Sequence, residues 1–195
     1  MPPKAKITKD MILNTVLQIT RESGFETVNA RNIANQLKCS TRPIFTCYKN
    51  MEELKKEFLA FAYEYYEQYV AHYQDAVKVS PYLIFPLSYI QFAEDETYLF
   101  KLLFIDDMDL NMKETEDFYQ EIDNENRAKD FSNMIGIELE CAKIIFLNLF
   151  FYSHGIAVLT TTKKLALSNA DKENMIKNTL IAFIKQEKPD WNLSI

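Results

Sequence analysis

Apolar positions recur along most of this chain at three- and four-residue intervals, the spacing that lines one face of an α-helix. Ile12, Val16 and Ile19, with Leu13 and Leu17 beside them, make the first such face. Gly24 ends it, because glycine accepts the left-handed geometry common just past a helix. Asn29 supplies an N-cap for a short helix over 30–37, with Ile33, Ala34 and Leu37 on one side. Ser40 supplies the next N-cap only three residues later, and a third short helix is predicted over about 41–48. Pro43 fits only the first turn of that helix, where its missing N–H would be unpaired anyway. Ile44 and Tyr48, four apart, then turn inward and leave Arg42, Phe45, Thr46 and Lys49 on the outer side. Two short helices joined by three residues, the second polar outward, have the pattern of a helix-turn-helix.

The periodicity continues beyond residue 50 with larger side chains. A fourth helix over about 51–73 carries one stripe of Leu54, Phe58, Phe61, Tyr65, Tyr69 and His72, and a second of Leu59, Tyr63, Tyr66, Val70 and Tyr73. Two stripes wrap most of the cylinder and predict cover on several sides. Further helices are expected near 82–93, 97–105, 114–134, 137–161 and 171–188, with Pro86 kinking the first of these or marking its first turn. Composition removes the alternatives. Only three glycines and six valines occur, too few for phosphate turns or hairpins. The expected fold is all-α: a three-helix head over 1–50 containing the helix-turn-helix, and a larger helical effector-binding and dimerisation domain over 51–195.

Charge changes the picture next. The net −6 divides into +5 over residues 1–56 and −11 over residues 57–195. Only three of the 26 aromatic residues precede residue 57. A basic, ring-poor head before an acidic body reads as a nucleic-acid contact surface, the alternative being a plain helical hairpin with one exposed ring. Phe45 favours DNA, since a thymine methyl gives an outward ring an apolar partner. Cys39, Cys47 and Cys141 form no CxxC pair, and Met1 is followed by Pro-Pro-Lys-Ala-Lys rather than an apolar core, so a cytoplasmic location is expected. Residues 141–159 have the length of a membrane span, but Lys143, Asn148, Ser153, His154 and Gly155 interrupt them. A buried, partner-facing helix is expected there, and no membrane.

Residues 12–54 resemble the DNA-binding domain of the TetR family of bacterial transcriptional regulators. The resemblance rests on Gly24-Phe25 after the first helix, Ile33-Ala34 in the second, Ser40, the Ile44-Phe45 pair, Tyr48, and Glu52 with Leu54 opening the fourth. It covers about a quarter of the chain, and it implies that Asn29, Arg31, Ser40, Thr41 and the outer face of the third helix lie against double-stranded operator DNA. The chain also departs from the family pattern. Lys38 stands where a turn glycine is common, Phe45 lacks a tyrosine hydroxyl, and Cys47 and Met51 replace a frequent tyrosine and a frequent lysine that hold phosphates. Lys49, Lys55, Lys56 and the arm residues Lys4, Lys6 and Lys9 are the available substitutes, and weaker non-specific binding than in a typical relative is expected.

The body offers less specific signals. Its rings and tyrosine hydroxyls suit either core packing or a pocket, with Tyr63, Tyr66, Tyr89, Phe92, Phe104 and Phe151 as the pocket candidates. His154 either orients a ligand or is hydrogen-bonded inside a packed helix. Asp106, Asp107 and Asp109 lack the glycine and bidentate glutamate of a Ca²⁺ loop and read as a solvated acidic loop. No metal, cofactor or catalytic constellation is expected, because His72 and His154 lie in no catalytic motif. Ile144, Leu147, Phe150, Phe151, His154 and Val158 keep helical spacing on one late helix, and Ile176, Leu180, Ile181 and Ile184 do so on the last. The resemblance implies that this pair forms a four-helix bundle in a homodimer. The expected function is a repressor released from a palindromic operator by an apolar or aromatic effector, neutral or cationic. The alternative is a helical ligand-binding or adaptor dimer whose DNA head has decayed.

Overall fold

Residues 7–108, 110–120 and 122–192 are described by a computed structural model, and every regular element among them is helical. Lys4, Lys6 and Asp109 lie outside the described residues. The chain divides into two compact units, residues 1–68 with 96–108 and residues 69–95 with 109–195. The division expected at residue 50 is one of function and is a different partition from this one.

The first unit begins with α1 (Lys9–Ser23), whose N-cap Thr8 accepts a hydrogen bond from the Met11 amide. Gly24 ends α1 at φ 86°, a left-handed backbone where a Cβ would also strike the Glu26 carboxylate. A 3₁₀ turn (Phe25–Thr27) leads into α2 (Ala30–Gln36) and then α3 (Arg42–Cys47). The cap of α3 differs from the expected one. Thr41, not Ser40, is the N-cap; its backbone is already helical and its side chain makes no cap bond, so α3 starts one residue later. Lys38 takes φ 52°, the left-handed conformation expected where the family has glycine, at a cost of about 1 kcal/mol.

The fourth helix, α4 (Met51–Ala76), is three residues longer than expected and buries one stripe rather than two: Leu54, Phe58, Ala62 and Tyr66. Tyr63 is 42% exposed. A tyrosine, amphipathic as it is, can leave part of its ring at the boundary with water, so ring-rich spacing overstated the cover. Residues up to Gln68 belong to the first unit and those from Tyr69 to the second. The first unit is completed by α6 (Thr97–Lys101), which passes into a π-helical turn (Leu102–Asp106). The Asp107 amide reaches the Leu102 carbonyl at 3.0 Å across five residues, and Leu102, Leu103 and Phe104 are buried in succession. Three-and-four spacing carries no signal for such a widened turn. Glu96 ties the segment down: its buried carboxylate accepts from Arg21 Nε and Tyr65 Oη, both at 2.8 Å.

The second unit packs α8 (Leu139–Thr161) against α5 (Pro81–Asp95), α7 (Ile122–Ile135) and α9 (Asn169–Glu187). Pro86 lies within α5 and is buried. The helix expected over 114–134 is instead a 3₁₀ turn (Thr115–Gln120) followed by α7. Asp117 explains the start of that turn: its carboxylate accepts from the Lys113 and Glu114 amides, which hold it below the usual carboxylate range. Gly136 at φ 72° closes α7 with its amide on the Ser132 carbonyl, and α8 begins two residues later than expected. By length and composition α8 alone among the described helices qualifies to cross a membrane, and half of its most apolar stretch is buried in the protein.

Candidate functional site

Capping positions the residues expected at DNA. Asn29 Oδ1 accepts from the Arg31 amide at 3.1 Å and the Asn32 amide at 3.0 Å, fixing the start of α2 and leaving Arg31 exposed. At the head of α4, Asn50 Oδ1 accepts from the Glu53 amide at 2.9 Å, and the Glu53 carboxylate accepts from the Lys49 amide at 2.6 Å. Between these two caps α3 buries Ile44 at 0% exposure and presents Arg42, Phe45 and Thr46 outward, with Phe45 half exposed and Lys49 exposed just beyond its C-terminus. Ser40 is exposed and Thr41 partly so. The Thr46 hydroxyl donates to the Arg42 carbonyl at 3.0 Å, so its methyl and both lone pairs remain for a partner.

Cations in this unit fall into two groups. Lys9 bonds Glu57 at 2.5 Å and lies over the Tyr48 ring, and Lys55 pairs with Asp107 at 3.0 Å. These two, like Arg21 on Glu96, are engaged within the protein. Arg31, Lys38, Arg42, Lys49 and Lys56 make no ion pair among the described residues. The chemistry of such a surface is phosphate contact from several point charges, with one guanidinium and one ring able to address base edges. Tyr48 is not part of it. Its ring is buried, and burial raises its phenol well above the ordinary range, with Glu57 adding to the effect.

The six pocket candidates are dispersed. Tyr63 and Tyr66 meet Phe104 edge-on at 5.8 and 4.9 Å in the first unit, where the Tyr63 hydroxyl donates to the Leu103 carbonyl at 3.3 Å. In the second unit Tyr89 Oη lies 2.9 Å from His154 Nδ1, Phe92 packs on Tyr69 at 5.1 Å, and Phe151 is 47% exposed. Burial holds the His154 imidazole below the usual histidine range. A cleft of about 310 Å³ in the second unit is lined by none of the six. Tyr69, Tyr73, Asp95, Lys172 and Glu173 line it instead, although helical spacing had set the two tyrosines on different stripes of the fourth helix.

The expected dimer residues also separate. Ile176, Leu180 and Ile184 are fully buried where α9 packs on α5 and α8, so these side chains serve the chain's own core and offer no surface to a mate. Leu147 is buried as well. Apolar spacing marks a face that must be covered and does not say by what. Ile144, Phe151 and Leu159 are exposed on α8, with Asn148 and Gly155 between them and Val158 partly open. Nothing lies within 4 Å of a Cβ placed at Gly155. Cys39, Cys47 and Cys141 are free thiols, and no group of three metal-binding side chains occurs among the described residues. No protein-family model matches the chain, and no curated protein matches it significantly.

Proposed function

We propose that this chain is a ligand-responsive DNA-binding transcriptional regulator of the TetR type, a cytoplasmic homodimer that represses from a palindromic operator. One observation carries the reading: α3 presents Arg42, Phe45 and Thr46 outward, beside cations that make no ion pair among the described residues. In that reading α2 and α3 form the helix-turn-helix of a head over 1–50. Asn29, Arg31, Ser40, Thr41 and Lys49 hold the backbone, while Arg42 and Phe45 read a guanine edge and a thymine methyl. The exposed face of α8 with Ile144, Phe151 and Leu159 meets its two-fold mate, and the two-fold of the dimer matches that of the operator.

An effector must favour one dimer geometry over another, since equal affinity for both shifts nothing. The two compact units share α4, so a change in that helix is a change in both. A second reading is an adaptor dimer with a decayed head. It is favoured by Cys47 and Met51 at family phosphate positions and by the engagement of Lys9 and Lys55 within the protein. A gel shift with the DNA upstream of the gene decides between them. The regulator retards a specific fragment and releases it with a small molecule; absence of any shift at low salt selects the adaptor.

A further inference from the structure

The cleft of the second unit lies between the C-terminal part of α4, α5 and the first turn of α9. Its volume of about 310 Å³ is at the lower end for small-molecule sites. Tyr69 and Tyr73 contribute ring surface, while Val77, Leu87 and Ile90 contribute apolar surface. Two carboxylates, Asp95 and Glu173, stand among these groups.

Charge bookkeeping inside the cleft is lopsided. Lys172 is its cation, but that side chain is buried and its ammonium is spent on Glu94 at 2.5 Å, with Asn169 Oδ1 at 3.4 Å. Among the described residues Asp95 is oriented by neutral donors only, Tyr69 Oη at 2.5 Å and Gln91 Nε2 at 2.9 Å. Among the described residues no cation pairs with Asp95 or Glu173. The Tyr73 phenol is raised by burial, then by the Glu173 charge, and so keeps its proton. Two uncompensated carboxylates beside tyrosine rings and an aliphatic patch attract positive charge and repel anions.

We propose that this cleft binds a small organic cation, an ammonium group with one apolar flank. Asp95 and Glu173 address the charge, Tyr69 and Tyr73 offer their rings, and Leu87 and Ile90 cover the flank. As the site of the effector it rests on the regulator reading; as a binding site it stands without it.

Isothermal titration of the full chain tests it. Phenethylammonium and benzyltrimethylammonium are expected to bind saturably, one per chain, whereas 3-phenylpropionate, an anion of similar shape, is not. Asp95→Asn and Glu173→Gln keep side-chain size and leave the Lys172–Glu94 pair intact, and each is expected to weaken the cations about tenfold. Equal binding of 3-phenylpropionate, unchanged cation affinity in the double variant, or no binding up to about 10 mM overturns the site. DNA release by the same cations is read separately in a gel shift. Binding without release upholds the cleft and counts against the regulator reading alone.

Discussion

Arg42 and Lys49 flank the exposed face of α3 and illustrate how two cations on one surface take different work. Arg42, in the first turn, carries a planar fork of donors suited to a guanine edge, whereas Lys49 beyond the C-terminus is a point charge within reach of backbone. Arg42→Ala is therefore expected to relax one operator position, and Lys49→Ala to weaken all sites alike. Binding to a randomised operator library reads both, and uniform loss in the two variants would reject the assignment. His154 makes a different single-residue claim. Burial depresses its folded pKa, so the unfolded chain binds the proton more readily. The stability given by the neutral ring is thus present above the ordinary pKa of about 6.5 and is lost as pH falls through it toward the folded value. Wild-type and His154→Gln proteins are expected to differ more in melting temperature at about pH 7.5 than at about pH 5.5. A difference independent of pH would show that the ring stays uncharged, or charged, throughout.

Single elements show what spacing and caps reveal and what they hide. The order of the first three helices was readable because local chemistry punctuates it: Gly24, Asn29 and Pro43 each act within one turn, whereas the Thr8 cap of α1 was not read. The π-helical turn after α6 was not readable, since its hydrogen bond spans five residues while its apolar residues simply run on. Nor was the cleft, whose carboxylates come from α5 and α9, far apart in sequence. On α9 the apolar stripe was legible and its partner was not; Ile176, Leu180 and Ile184 face inward, as a core stripe would. On α8 the inward face satisfies the core and the opposite face still shows Ile144, Phe151 and Leu159. Exposed apolar area of this kind marks a contact surface. A charge at its centre leaves the core untouched, so Phe151→Glu is expected to yield folded monomer by analytical ultracentrifugation, with far-UV circular dichroism unchanged. A persistent dimer would move the interface elsewhere.

For the molecule as a whole, the division of charge sets how binding responds to salt. Arg31, Lys38, Arg42, Lys49 and Lys56, which make no ion pair among the described residues, are expected, doubled in a dimer, to give a log K against log[salt] slope corresponding to roughly 6–10 phosphates. Fluorescence anisotropy on an upstream fragment measures it, and a slope near zero would reject DNA binding as the task of the head. The discontinuity of the first unit bears on something else, the inheritance of parts. Residues 96–108 return to that unit after an excursion of 27 residues and bring Leu99, Phe100 and Leu103 into burial. They also bring Glu96, the acceptor for Arg21 and Tyr65. A head cut at residue 50 or 68 would leave Arg21 facing no carboxylate and a stretch of apolar surface open to water. The first unit of this chain is therefore not a portable cassette: recombination that moves it to another body must carry two separated pieces of gene together, and single-crossover chimaeras are expected to be insoluble.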